Sequence, residues 1–241
     1  RPRRQRQMCI RDSINIIDDL KNLNIKDQLV ENGIFTPKNS IFTKEKEIRE
    51  LVRTLYANLS RHKKINRIYV KPKSNKEEYF ISDNVVVELI HAKLNLSRLA
   101  EAWIKLLFIS KFRKNIKHTH VIFREENEYK SHILQSPGAI ESNLILEEYI
   151  NLFKNYSEKC LPLPPESTYK YVEAKIKLKN EKKVFSDRWI GNKTFSKGER
   201  DNIEMKMCFG NKKEPDFFFE NQKFDKLSLR LYGPLIKALK K

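Results

Sequence analysis

The apolar positions Ile48, Leu51, Val52, Leu55 and Leu59 recur at i, i+3, i+4 and i+7, the spacing that gives a helix one core-facing stripe. They close a charged, helical stretch running from Ile14 to Leu59. Within it, Asn32-Gly33 ends an earlier helix, and Pro37 keeps Thr36 extended. After a basic turn at Arg61–Lys64, Arg67-Ile-Tyr-Val-Lys71 alternates as a strand does. Phe80 and Val85–Ile90 mark two more short strands around a turn at Ser82-Asp83-Asn84. A helix follows, with Ser97 as its N-cap and Leu99, Ala100, Trp103, Leu106 and Leu107 on one face. On that face Trp103 reads as a core anchor.

Thr119–Phe123 and Tyr129–Leu134 pair as a hairpin whose Glu125–Glu128 tip is polar. Ser136-Pro137-Gly138 breaks the chain before a long helix that turns Leu144, Ile145, Tyr149, Leu152, Phe153 and Tyr156 inward. Leu161-Pro-Leu-Pro-Pro165 is extended, because proline cannot continue a helical ladder. Helices rich in lysine and tyrosine then occupy roughly 166–190. A short strand is predicted at Met205–Phe209. In the C-terminal helix, with Phe224, Leu227 and Leu231 inward, Pro234 predicts a kink or restart after Tyr232-Gly233. No internal repeat is visible. The order helix, strands, helix, hairpin, helices describes an α/β fold: a small mixed sheet flanked by helices.

At 241 residues, 39% hydrophobic and 10% aromatic, the chain can bury a sizeable core and is no disordered polyelectrolyte. No apolar run approaches the ~18 residues of a membrane span, so no membrane partner is expected. Cys9, Cys160 and Cys208, odd in number and far apart, make no disulfide framework. That pattern predicts a reducing, cytoplasmic setting. Six glycines, none in a phosphate-cradling spacing, exclude a self-sufficient ATPase or dinucleotide enzyme.

The net charge of +18 invites a nucleic-acid partner, but two features thin it. Lysine, asparagine and isoleucine supply 78 of the 241 residues, and A/T-rich codons favour all three. Part of the lysine is therefore mutational bias. Residues 1–13, RPRRQRQMCIRDS, hold five of the fifteen arginines and no lysine. The competing reading there is a basic arm on DNA backbone. RQRQMCIRDS, however, looks like a translated sequencing-adaptor tail, and the domain is expected to span 14–241. Without the tail, 44 basic and 30 acidic residues leave +14. The natural protein is then expected to extend further upstream.

Candidate chemistry is sparse. A nuclease needs clustered carboxylates for a divalent metal and a lysine for the developing charge. Glu173-Ala174-Lys175 has the triplet, but sits in a lysine-rich helical run without a partner aspartate at useful distance. Pro215-Asp216 with Glu220-Asn-Gln-Lys223 has the letters crowded into nine residues. Both read as solvated surface. His118 and His120, two apart on a strand, face one side, but no Cys, His or Asp cluster completes a tetrahedral metal set; His62, His91 and His132 read as isolated. No catalytic residue and no metal ligand is therefore expected. The basic turns carry more: Lys63, Lys64 and Arg67 in one, and Lys111, Arg113 and Lys114, with Lys117, in the other. Such cations, beside a ring such as Phe112, bind phosphate backbone through counterion release and can stack a base. A lysine-biased, solvated turn is the competing reading.

Several spaced motifs form a ladder: Leu161-Pro-Leu-Pro-Pro-Glu-Ser-Thr-Tyr-Lys-Tyr171, Trp189, Phe195-Ser-Lys-Gly-Glu-Arg-Asp201 and Leu231-Tyr-Gly-Pro-Leu235. With Trp103-Ile-Lys-Leu-Leu107 upstream, it resembles the C-terminal end of the RecC family across about residues 30–240. The resemblance departs in a lysine-rich background and a longer, more charged stretch between 60 and 90. It implies a restriction-endonuclease-like fold, a degenerate PD-(D/E)XK nuclease domain. The strand Val85-Val-Val-Glu-Leu-Ile90 agrees, because Glu88 is followed two residues later by isoleucine where an acid-x-Lys triplet needs lysine.

The resemblance further implies a non-catalytic, DNA-handling and assembly domain of the RecC subunit of exodeoxyribonuclease V, RecBCD. That complex is a bacterial, cytoplasmic, ATP-dependent helicase-nuclease of double-strand break repair by homologous recombination. Implied partners are double- and single-stranded DNA and the RecB and RecD subunits. No cofactor is expected in this chain, ATP and Mg2+ being used through the partner subunits; hotspot recognition would lie upstream. The alternatives are an active free-standing nuclease of the same fold and an assembly scaffold without DNA contact.

Overall fold

The computed structural model describes residues 38–62, 65–70, 77–156, 161–191, 197–210 and 214–240. The expected tail at 1–13, the earlier helix end at Asn32-Gly33 and the extended Thr36-Pro37 lie outside them. The described residues fall into two compact units. One is made of the chain up to Asn95 with Lys117–Ile133, the other of Leu96–Ile116 with Leu134–Lys240.

In the first unit, helix α1 (Lys38–Leu59) precedes strands β1 (Asn66–Val70), β2 (Glu77–Ser82) and β3 (Val85–Ile90). β1 pairs antiparallel with β2, Arg67 opposite Phe80, and β2 antiparallel with β3, Phe80 opposite Val87. Asp83 takes φ 52 in the two-residue β2–β3 turn, a left-handed conformation that aspartate tolerates. β4 (His118–Glu125) lies parallel to β3, with Val85 opposite His118 and Val87 opposite His120. Five consecutive β4 residues, Thr119–Phe123, are buried, as expected of a parallel strand covered on both faces. β5 (Glu128–Gln135) completes the hairpin around Glu126-Asn127. The two hairpins and the strand boundaries match the alternation in the sequence.

The C-terminal part of the α1 stripe faces the core as its spacing predicts, while Leu51 and Val52 are half-buried. Leu55 and Leu59 pack with Val87 and Ile122, joined by Ile65, Phe80, Leu89 and Tyr129. Asn58 Nδ2–H donates to the Tyr129 carbonyl at 3.1 Å, and the Tyr129 N–H donates to Thr54 Oγ1 at 2.9 Å, which fixes the register of α1 on β5.

The second unit is mostly helical: α2 (Leu96–Phe112), α3 (Ala139–Tyr156), α4 (Pro165–Ile176), α5 (Glu181–Ile190), α6 (Ile203–Phe209), the single turn α7 (Asp216–Phe219) and α8 (Phe224–Ala238), followed by the short strand β6 (Leu239–Lys240). The full sheet order is β1-β2-β3-β4-β5-β6, a mixed α/β arrangement. Trp103, 2% exposed, is the expected core anchor of α2, beside Leu99, Leu106 and Leu107. Its indole N–H donates to the Tyr149 hydroxyl at 3.2 Å, which in turn donates to the Leu231 carbonyl at 2.8 Å. A second aromatic nucleus gathers Tyr171, Phe185, Trp189, Phe209, Phe218 and Phe224, with rings 5.0–6.5 Å apart.

Five expectations need correction. Ser97 lies inside α2, which already begins at Leu96, so it is not the N-cap. Ala100 is only half-buried; Ala102 and Ile109 complete the inner face instead. Leu144 and Phe153 point outward from α3, 59% and 74% exposed, and the buried face is Ser142, Ile145 and Leu152. Met205–Phe209 belongs to a helix: Ile203 and Met207 are exposed and only Phe209 is buried, so no half-buried strand face exists. α8 does not restart at Pro234. Its turn before the proline is held from outside by the Tyr149–Leu231 bond.

Candidate nucleic-acid interface

α1 ends in a tight turn, with the Ser60 N–H donating to the Tyr56 carbonyl at 2.8 Å and the His62 N–H to the Leu59 carbonyl at 2.9 Å. That turn delivers Arg61 to the surface and His62 to the start of β4. There His62 Nε2 meets His120 Nδ1 at 2.7 Å, one ring donating and the other accepting. The β2–β3 turn reaches the same place, because the Lys117 N–H donates to the Asn84 carbonyl at 2.9 Å and Val85 pairs with His118. Arg61, His62, Ser82, Asp83, Val85, His118, His120 and Ile133 thereby line an open pocket of about 290 Å³.

The electrostatics of this pocket follow from burial and like charge. Burial pushes the His120 imidazole down to about 4, helped by His62, Arg61 and His118. Burial also lowers His62, with His118 and Arg61 in the same direction and Asp83 opposing. Both rings are therefore neutral at pH 7, one donating and the other accepting in their mutual hydrogen bond. The sequence paired His118 with His120 correctly as neighbours on one side of a strand, but His62 is not isolated. Its contact crosses 58 positions, which periodicity does not report. Nor is His91 isolated, since its Nδ1 shares a 2.7 Å hydrogen bond with the Tyr129 hydroxyl.

Of the six residues expected to touch nucleic acid, Lys63 and Lys64 lie outside the described residues. Arg67 lies in β1 opposite Phe80. Lys111 occupies the last turn of α2, and Arg113 and Lys114 follow it, all exposed. Phe112, 51% exposed, packs at a tilt against Phe108 with 4.9 Å between ring centroids. Among the described residues Lys111, Arg113 and Lys114 make no ion pair. Lys111–Lys114 belong to the second unit and Lys117 to the first, so the second basic cluster is divided between units.

The two carboxylate decoys are structural. Burial alone would raise the Glu173 carboxyl, but its bonds to Lys170 and Lys177 at 2.8 and 2.7 Å hold it at about 2. Lys175, the lysine of that triplet, pairs instead with Asp225, so an aspartate does lie within its reach. Asp216 opens the α7 turn that seats Phe218 in the aromatic nucleus. Among the described residues, no three His, Cys, Asp or Glu side chains gather as a metal-holding group.

The motif ladder has a physical link. Glu199, 3% exposed, accepts the Glu166 N–H at 2.8 Å, the Ser167 N–H at 2.6 Å and the Ser167 hydroxyl at 2.5 Å. It caps α4, whose own N-cap, Pro164, offers no side-chain bond. Arg188 pairs with Glu166 at the same helix start. Gly198 makes the approach possible, because a Cβ there would lie 2.2 Å from the Ile190 carbonyl oxygen.

These features define a mixed α/β domain with cations at turns and its nuclease-like triplets engaged in packing. The family model of the RecC C-terminal domain matches residues 46–176, more than half of the chain. The chain belongs to that family. Membership implies a subunit role in RecBCD, exodeoxyribonuclease V, and a place in DNA repair. The matched span takes in Trp103–Leu107 and Leu161–Tyr171 and ends before Trp189. A search of curated proteins gives no match. No described helix is long and apolar enough to cross a membrane.

Proposed function

We propose that this chain is a non-catalytic DNA-handling and subunit-assembly domain of RecC. It would work within the RecBCD helicase-nuclease in double-strand break repair by homologous recombination. The observation that carries this reading is β3, which reads Val85-Val-Val-Glu-Leu-Ile90 and so sets Ile90 where a nuclease strand of acid-x-Lys type needs its lysine. The mixed sheet, with β3 antiparallel to β2 and parallel to β4, supports a degenerate restriction-endonuclease-like core. In this reading Lys63, Lys64, Arg67, Lys111, Arg113 and Lys114 meet phosphate backbone, and helical faces meet RecB and RecD. ATP and Mg2+ are used by those partners, in the bacterial cytoplasm.

Binding of the full chain to a forked duplex across a salt series tests the proposal. Phosphate contacts give a linear log-log decline, and replacing Lys111, Arg113 and Lys114 by glutamine should reduce its slope by up to about 0.9 per contact. A flat wild-type slope leaves an assembly scaffold. Magnesium-dependent cleavage abolished by Glu88→Ala would instead make the chain an active nuclease.

A further inference from the structure

The pocket at the α1–β4 junction is the place where the first unit concentrates positive and hydrogen-bonding groups around an opening. We infer that this pocket is a proton-linked seat for one phosphate diester, formed by Arg61, His62, His118, His120 and the Ser82 hydroxyl. The inference rests on the DNA-handling reading and assigns one atomic contact to it.

Three elements build the seat. The turn after α1 supplies Arg61 and His62, the β2–β3 turn supplies Ser82 and Asp83, and β4 supplies His118 and His120. Val85 and Ile133 are its apolar wall. Its volume of about 290 Å³ has room for a phosphate diester group. Arg61 is exposed and makes no ion pair among the described residues, so its fork remains available for a bidentate anion.

Among the described residues, the charged and titratable groups that act on the histidine pair are on these elements. Arg61 follows α1, Asp83 lies in the β2–β3 turn and His118 lies on β4. Among the described lining residues Asp83 is the one carboxylate, beside a guanidinium and three imidazoles. Without an anion, burial keeps His62 and His120 neutral and hydrogen-bonded to each other. A diester oxygen placed between Arg61 and the rings changes the balance. A proton taken from solvent goes to the ring nitrogen outside the pair and converts that ring to imidazolium; its bond to the neutral ring persists, now charge-assisted, and the newly formed N–H points to the anion. No covalent bond forms or breaks. Phosphate binding and proton uptake are thus one linked event, and the seat tightens as pH falls toward 6.

The same linkage separates this seat from the exposed lysines at 111–114. Phosphate contacts of that kind contribute salt dependence through counterion release. Two kinds of contact with one backbone would therefore be distinguishable in one experiment.

The test follows the imidazole signals of the full 241-residue chain by NMR at about pH 5.5 and 7.5. The probes are dimethyl phosphate, which holds a single charge across that range, and a short duplex without terminal phosphates. Both probes are expected to shift His62 and His120 and to raise their apparent pKa values. Duplex affinity should be higher at the lower pH, by up to about tenfold per pH unit for one linked proton. Arg61→Ala, an exposed change that leaves the histidine pair intact, should weaken dimethyl phosphate binding several-fold and leave the thermal midpoint of the free chain unchanged. His62→Gln should abolish the pH dependence while leaving the salt slope from Lys111, Arg113 and Lys114 in place.

Imidazole signals that stay fixed while the duplex binds would overturn the seat and leave the DNA-handling reading standing. Dimethyl phosphate that shifts both rings, with no duplex binding, would support the seat and sink the DNA-handling reading. Unchanged dimethyl phosphate binding in Arg61→Ala would overturn the seat outright.

Discussion

Replacing Glu199 by alanine removes the acceptor for three donors at the start of α4, two backbone N–H groups and the Ser167 hydroxyl. Ser167 is fully buried, so water cannot take over that position. Loss of a helix N-cap costs about 1 kcal/mol, and each buried donor left unmade costs about 1–3 kcal/mol. Against this stands relief of the carboxylate itself, because burial pushes Glu199 upward while its Ser167 bonds and Arg188 pull it down. The net loss for Glu199→Ala is then about 2–4 kcal/mol, a large share of the roughly 5–15 kcal/mol that holds a typical domain folded. Glu199→Gln keeps the volume and one carbonyl acceptor, and should cost about half as much. Urea unfolding followed by tryptophan fluorescence measures both, since Trp189 lies against Gly198 beside the cap. The exposed Glu204 of α6 is the control, expected within about 0.5 kcal/mol of wild type. A loss below about 1 kcal/mol for Glu199→Ala, or glutamine worse than alanine, would refute the capping argument.

Other outcomes follow from the same geometry. The His120 imidazole is lowered to about 4, so between its unfolded value near 6.5 and 4 the unfolded chain binds more protons. Stability should be full above pH 6.5 and fall as pH drops through that window, by up to about 3 kcal/mol. Urea midpoints at several pH values check it, and His120→Gln, if it folds, should flatten the profile. Trp103→Phe and Tyr149→Phe should each cost about 1 kcal/mol, and the double variant should cost clearly less than their sum, because the two hydrogen bonds form one chain to Leu231. Additive losses in that cycle would show the bonds to be independent. Gly198→Ala forces a Cβ into the Ile190 and Trp189 carbonyls at 2.2 and 2.4 Å and should lower stability by about 3 kcal/mol or prevent folding. A melting curve unchanged from wild type would refute that close approach.

The sequence made the strands and the α1 stripe legible because both depend on short periods. Residues 66–70 and 85–90 alternate or run apolar over a few positions, and the turn at Asp83-Asn84 carries the residue types that turn demands. Period alone failed where it gave two answers. Ile203, Met205, Met207 and Phe209 alternate like a strand, yet only Phe209 finds a buried partner and the segment coils. Phe153 and Leu144 were expected inside for being apolar, but what α3 packs against decides which face is inner. The pocket was illegible for a different reason: His62 and His120 lie 58 residues apart and meet only because α1 packs across β4. The motif ladder, by contrast, was visible as letters before it had a cause. Glu199 gives it one, tying the Phe195–Asp201 motif to the Leu161–Tyr171 motif by three hydrogen bonds.

Charge shows most clearly how structure narrows a compositional signal. In the second unit much of the lysine and arginine is answered locally. Lys170 and Lys177 meet Glu173, Lys175 meets Asp225, Arg188 meets Glu166 and Arg230 meets Glu148. In the first unit Lys130 bridges Glu125 and Glu128. Exposed pairs of this kind contribute only about 0–1 kcal/mol each to stability, but they cancel field. Arg61, Lys111, Arg113, Lys114 and Lys117 make no such pair among the described residues, and all five lie at helix ends or strand starts, where a chain can approach. A net charge raised by codon bias would spread cations evenly over helices and turns alike, and many of them do lie that way. What codon bias does not explain is an arginine at the mouth of a pocket that already holds three histidines. There, anion binding and proton uptake favour each other, because a bound anion stabilises the imidazolium and the imidazolium holds the anion.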